Sequence, residues 1–200
     1  EPEVAVLATP PNARLELIQQ MPSLKAVIVE KPMADTLEDA ESLVVECEKR
    51  GILLQVNLWR RADSLFRRLA DGYLEEMIGS PQFAHIVYGN GFSNNGIHML
   101  DFARMLLGDF NELNFARRRE CSSSLPLLGD LNIDCDFNLG EDISVSMKSM
   151  NFENYRDNSI DVWGATGRLS IMNEGLNIVH FKKEKHQALS DSFELNYESQ

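Results

Sequence analysis

The chain has 200 residues, 44% of them apolar and 25% charged, a composition that suits one large globular domain or two small ones. A net charge of −12 denies the basic surface that nucleic-acid phosphates need, no apolar run reaches the ~18 residues of a membrane helix, and no signal-peptide pattern opens the sequence. Cys47, Cys121 and Cys135 are spaced neither like a metal clip nor like a disulfide framework, so a reducing, cytoplasmic setting is expected.

In chain order, "EVAVLAT" (3–9) is a continuous, β-branched apolar run and predicts a buried strand. Only Glu1 and Pro2 precede it. A strand of that kind has neighbours on both sides, so the sequence is expected to be a fragment cut upstream of Glu1 and open to truncation after Gln200. "PPNARLELIQQM" (10–21) opens with prolines that suit a first helical turn, and "KAVIVE" (25–30) is a second strand. "TLEDAESLVVECEKRG" (36–51) is the clearest helix: Thr36 caps it, Gly51 stops it, and Leu37, Ala40, Leu43, Val44 and Cys47 share one face. "ILLQVNL" (52–58) is a third strand. Strands alternating with helices predict a parallel sheet with right-handed crossovers.

Further on, "DSLFRRLADGYLEEMIG" (63–79) predicts an amphipathic helix, "FAHIVYG" (83–89) a strand, and "IHMLDFARMLLG" (97–108) a helix after the polar loop "NGFSNNG" (90–96). From residue 110 the runs are short, partly alternating and separated by Gly, Asp and Asn, as in an antiparallel sheet with one solvated face. The fold class expected is α/β followed by α+β: the C-terminal part of a Rossmann-type parallel sheet, then a large, mostly antiparallel open sheet.

Ligands of open α/β sheets bind beyond the carboxyl ends of the strands. That rule selects Ala8, Thr9, Pro10 and Pro11, then Glu30-Lys31-Pro32, and then Asn57 to Arg61. Small Ala8 and Thr9 let a flat ligand approach the backbone. Lys31, beside the fixed φ of Pro32, is able to donate a proton or hold an oxyanion; taken alone, the tripeptide equally describes a surface lysine opening a loop. In "NNGIHMLD" (94–101), His98 and Asp101 are three apart at a helix start and share a side. His98 is an acid/base candidate or a helix-start histidine bonded to its own backbone; Asp101 is a structural partner. No His/Cys/carboxylate set has zinc-ligand spacing, and there is no Ser nucleophile elbow. His85 is expected on a sheet face, and Arg117, Arg118 and Arg119 on a solvated strand edge.

Taken together and in order, "VAVLATPPNARLELI", "VIVEKPMADTLEDAESLV", "VNLWRRAD" and "NNGIHMLDFARMLLGD" resemble the Gfo/Idh/MocA family of nicotinamide-dependent oxidoreductases, with "WGATGRLSI" (163–171) as a further landmark. The resemblance implies a partial dinucleotide-binding domain over residues 1–60 and a substrate and oligomerisation domain over 61–200. It implies hydride exchange between NAD or NADP and a sugar or polyol hydroxyl or ketone, without a metal. It casts Lys31 as the proton-transfer or hydroxyl-orienting group, with Asn94 and His98 as its catalytic and substrate-binding companions. Cofactor contacts map onto Ala8, Thr9, Pro10, Pro11, Glu30, Lys31, Trp59 and Arg60, and a homo-oligomer through the C-terminal sheet is implied as well. Two features depart from the family pattern. Asn94 stands where the family has an acid, so a neutral amide faces the site; this favours the alternative of a non-catalytic sugar-binding or regulatory relative. The G-x-G-x-x-G phosphate turn would lie before Glu1, so weak dinucleotide binding is expected of the chain by itself.

Overall fold

The computed structural model describes residues 2–120, 125–127, 129–153, 155–189 and 191–197; Cys121 and Gln200 lie outside them. The chain divides into two compact units, Glu1–Trp59 and Arg60–Gln200.

In the first unit, β1 (Val4–Leu7), β2 (Ala26–Val29) and β3 (Leu53–Val56) form a parallel sheet in that order. The register aligns Leu7 with Val29 and Val29 with Val56, so all three strands end level. A 3-10 turn (Pro11–Ala13) leads into α1 (Arg14–Gln19), and α2 (Leu37–Arg50) follows β2. The Thr36 hydroxyl accepts from the Asp39 N–H at 3.1 Å at the head of α2, and Gly51, with φ of +65°, closes its tail. Ile18, Leu43 and Cys47 press onto Leu7, Val27 and Val29; each such side chain removed from water contributes about 1.5–3 kcal/mol.

The strands are not buried on both faces. Val4, Val6 and Leu53 are 64, 68 and 76% exposed. Successive right-handed crossovers in a β1–β2–β3 order carry both helices to the same side of the sheet. Residues of the other parity therefore face away from α1 and α2, although they are as apolar as their neighbours.

In the second unit, eight strands run in the order β11–β10–β9–β8–β4–β7–β6–β5. They are β4 (Pro81–Gly89), β5 (Phe110–Arg119), β6 (Asn132–Leu139), β7 (Ile143–Met150), β8 (Ser159–Gly164), β9 (Gly167–Met172), β10 (Asn177–Lys185) and β11 (Phe193–Tyr197). Every pairing is antiparallel except that of β4 with β7. Helices α3 (Ser64–Arg68), α4 (Leu74–Ile78) and α5 (Ile97–Leu107) supply Phe66, Leu74, Ile78, Phe102 and Leu106 to a core shared with Ile86, Phe137, Met147, Val162 and Leu169 of the sheet.

The helix expected over 63–79 is broken. A π-turn (Leu69–Tyr73) separates α3 from α4, with Asp71 non-helical and Gly72 at φ +112°. Asp-Gly is a turn dipeptide, and glycine alone enters that conformation without a Cβ clash. Strand β11 was not expected; "FELNY" alternates apolar and polar residues but is short and lies at the sheet edge, where Phe193 and Leu195 are exposed. The face away from the helices is mixed: Ser146, His85, Asp161 and Ser170 stand abreast on β7, β4, β8 and β9, and Phe83 and Trp163, with ring centres 5.3 Å apart, lie on the same face. The Asp161 carboxylate accepts from Arg168 Nε at 3.0 Å, while Arg168 lies over the Trp163 ring at 4.5 Å. Arg117 and Arg119, on edge strand β5, both reach the buried Asp134 of β6, at 3.2 and 3.5 Å. Among the described residues no helix is long and apolar enough to cross a membrane.

Candidate functional site

Because β1, β2 and β3 are parallel and level, Ala8–Pro11, Glu30–Pro32 and Asn57–Trp59 leave the same edge of the first sheet. Asn57 joins two of these ends: its N–H continues the ladder to the Val29 carbonyl at 2.8 Å, and its Nδ2 donates to Glu30 Oε1 at 2.5 Å. The Lys31–Pro32 peptide is cis. Lys31 is half-buried, while Ala8 and Trp59 are exposed.

The residue that organises this edge is Arg14, which sequence reasoning passed over as one more position of a helix. It is only 2% exposed. Its Nε and Nη2 donate to the Thr9 carbonyl at 3.2 and 2.9 Å. Its Nη1 donates to the Met33 carbonyl at 3.0 Å and also contacts the carbonyls of Glu30 and Pro32. One guanidinium thus binds the loop after β1 to the carbonyls of both residues flanking Lys31. Burial pulls the Arg14 pKa down, and the charges of Glu30 and Asp35 push it back up; a guanidinium stays protonated through such shifts. A signal was available: Arg14 lies four residues before Ile18, on the inward stripe of α1, where an arginine is out of place unless its donors are all used.

Thr9 Oγ1 is buried without a hydrogen-bond partner. An unsatisfied hydroxyl at the mouth of a strand end is a group a ligand would satisfy, and next to exposed Ala8 it fits the polar edge of a flat heteroaromatic ring. The strand-end loops therefore suit part of a dinucleotide.

In the second unit, the loop after β4 runs through a π-turn (Phe92–Gly96) into α5. Asp130, 36 residues beyond Asn94, holds this loop. Its Oδ1 accepts from the N–H of Ser93 at 2.9 Å and of Leu131 at 2.8 Å, and its Oδ2 from that of Asn94 at 3.0 Å. Gly91, at φ +96°, makes room: a Cβ there would lie 2.0 Å from Asp130 Oδ2. The Asn94 side chain donates to the Asn90 carbonyl at 3.1 Å, and Asn95 to that of Gly89 at 2.9 Å. Beneath the loop, the Tyr88 hydroxyl donates to the Ile133 carbonyl at 2.7 Å and accepts its N–H at 2.8 Å. Burial raises the Tyr88 pKa well above its ordinary value.

His98 is the second residue of α5 and is half-buried. Asp101, three residues on, is held by Arg61, whose Nε lies 2.9 and 3.0 Å from the two carboxylate oxygens and whose Nη2 lies 2.8 Å from Oδ1. The bidentate pair, with buried Met99 and Phe102, fixes the rotation of α5 and hence the direction of its first turn. Arg60, expected at the cofactor edge, is instead 3% exposed within the second unit. Its Nη2 donates to Glu174 Oε2 at 3.2 Å, and its guanidinium carbon lies 5.4 Å from the Phe102 ring centre. Among the described residues no group of three or more His, Cys, Asp and Glu could hold a metal.

The sequence model of the oxidoreductase family with an NAD-binding Rossmann fold, GFO_IDH_MocA, matches residues 1–58. D-apiose dehydrogenase of Paraburkholderia graminis is 31% identical over 138 residues, which are 58% of this chain and 35% of that protein. Myo-inositol 2-dehydrogenase of Thermotoga maritima is 25% identical over 173 residues, 72% of this chain and 48% of that protein. Among solved structures, the WlbA dehydrogenase of Bordetella pertussis, crystallised with NADH and UDP-GlcNAcA, superposes with a TM-score of 0.71 at 18% identity, covering 88% of this chain and 61% of that one. The chain thus spans between about a third and a half of the length of these two curated relatives.

Proposed function

We propose that the chain is part of a Gfo/Idh/MocA-type NAD(P)-dependent oxidoreductase, as the family match over residues 1–58 and the similarity to sugar and polyol dehydrogenases support, and that its protein interconverts a sugar or polyol hydroxyl and the corresponding ketone. The dinucleotide, when bound, accepts or returns the hydride. Lys31 exchanges the hydroxyl proton, from a turn whose two flanking carbonyls are both held by Arg14. The unsatisfied Thr9 hydroxyl, on the loop that Arg14 joins to the Lys31 turn, is the observation that carries the reading. Ala8, Thr9, Pro10, Pro11, Glu30 and exposed Trp59 border the cofactor, while the Arg60 guanidinium serves the Glu174 turn instead. His98, on the rigid head of α5, is the second acid/base group. Asn94 offers a carboxamide to a substrate hydroxyl, although one of its donors already closes the loop on Asn90.

Assembly is part of the proposal. On the open face of the large sheet Asp134, Asp136 and Asp161 are answered by Arg117, Arg119, Lys148 and Arg168. A chain of net charge −12 repels its own copies least across such a balanced face, which makes this the surface for a homo-oligomer.

The test is a panel of aldoses and polyols offered to the full-length protein with NAD and with NADP, followed by absorbance of the reduced nicotinamide. Turnover of at least one member is expected. Dinucleotide binding with no turnover across a broad panel would contradict the enzyme reading and support a non-catalytic relative.

A further inference from the structure

We propose that Arg14 is the positioning residue for Lys31: it makes the loop after β1 and the Lys31 turn a single rigid body, so that the lysine keeps its place while a ligand settles on the neighbouring loop. The inference rests on the oxidoreductase reading above. It goes further by assigning the preorganisation of the proton-transfer group to a side chain that touches neither substrate nor cofactor.

Three observations carry it. First, the guanidinium is nearly inaccessible to water yet its donors are directed at four main-chain carbonyls, those of Thr9, Glu30, Pro32 and Met33. A fold that needed only to fill this volume would use an apolar side chain, as it does one turn later at Ile18. Second, the four acceptors belong to two loops whose strand pairing ends at Leu7 and Val29, so the guanidinium ties them together past the end of the ladder. Third, two of the carbonyls lie on either side of Lys31, so its Cα is held from both directions. The planar fork of an arginine matters here, because carbonyls on two loops need donors fixed relative to one another. A lysine at position 14 offers one freely rotating point of donors and cannot keep both loops in register.

Arg14 therefore acts on Lys31 through the backbone. Displacing a reacting group by about 1 Å is able to cost about 100-fold in rate, and that is the scale expected when the clamp is loosened.

The experiment compares Arg14→Lys and Lys31→Ala with wild type in the full-length protein, using two readouts. Amide hydrogen exchange reports on the clamp without reference to activity. In Arg14→Lys the amides of Ala13 and Glu30, which donate to the Pro10 and Leu7 carbonyls in the two loops, should lose protection together, at least tenfold, while those of β2 and of α2 beyond its first turn keep theirs. Single-turnover hydride transfer reports on positioning: Arg14→Lys should slow it about 100-fold with dinucleotide affinity changed less than threefold. Unchanged exchange in both loops, or loss of protection in one loop only, overturns the single-body claim. Hydride transfer within threefold of wild type in Arg14→Lys, beside a crippled Lys31→Ala, overturns the positioning role alone. If Lys31→Ala itself turns over normally, the catalytic reading of Lys31 fails and the positioning role fails with it. Should Arg14→Lys not fold, Arg14→Gln, which keeps two donors, is measured in the same way and must show the same paired loss.

Discussion

Asp130 offers a direct test of how the second unit builds its part of the site. Replacing it by alanine removes three acceptor contacts, those to the N–H groups of Ser93, Asn94 and Leu131. Ser93 and Leu131 are exposed and Asn94 is half-buried, so water takes over much of what is lost. Each bond is then worth the lower part of the usual range, about 0.5–1 kcal/mol, and the three sum to about 2 kcal/mol. That corresponds to roughly 30-fold in the opening equilibrium of the 90–96 loop. Amide exchange at Ser93 and Asn94 should accelerate by that factor, while the amides of β4 and of α5 after its first turn stay protected. Asp130→Asn should fall between, because its remaining oxygen serves Ser93 and Leu131 while its NH2 is turned on the Asn94 N–H. Exchange at Ser93 and Asn94 within about threefold of wild type in Asp130→Ala would refute the reasoning. So would an asparagine variant as damaged as the alanine one.

Asp134 makes a prediction about pH. Burial works against its carboxylate, but the Ser149 N–H and hydroxyl, with Arg117 and Arg119, outweigh it and hold its pKa below the ordinary value. A depressed folded pKa contributes stability that is complete above the unfolded value, about 4, and is lost as the pH falls through the folded value. The gap in urea midpoint between wild type and Asp134→Asn should therefore be constant from pH 7 to 5 and shrink towards pH 2.5; a gap that does not change contradicts the assignment. Arg117→Ala and Arg119→Ala, whose side chains are more than half exposed, should each cost less than about 1 kcal/mol in the same assay. Cys135 is buried, and burial together with Asp136 pushes its thiol up to about 11. With Cys47, also buried and raised, it should stay silent to a thiol reagent at pH 8 until denaturant is added, and rapid labelling of native Cys135 would contradict that environment.

The parts of this fold that could be read from the sequence are those with local causes. The Thr36 cap, the Gly51 stop and the apolar stripe between them gave helix α2, and the Gly, Asp and Asn breaks after residue 110 marked most strands of the large sheet. Local patterns failed where the deciding fact was tertiary. The exposure of Val4, Val6 and Leu53 depends on which side both crossovers fall, something the apolar runs themselves do not encode. The break at Gly72 was signalled by Asp71-Gly72 but overridden by an amphipathic period that continues across it. At the site, the strand-end rule placed Ala8–Pro11 and Glu30–Lys31 on one edge. The residues that fix the site's loops, Arg14 for those two and Asp130 for the 90–96 loop, act through main-chain carbonyls and N–H groups far along the chain. No motif marks such a partner, though an arginine on the inward stripe of α1 was a legible anomaly.

The central claim is that Lys31 carries the proton in a hydride-transfer reaction. It is tested most directly by Lys31→Ala in the full-length protein, with dinucleotide affinity and single-turnover hydride transfer measured side by side. The account predicts a transfer rate lower by about 100-fold or more, with dinucleotide affinity within a few-fold of wild type. A rate near that of wild type would remove Lys31 from the chemistry.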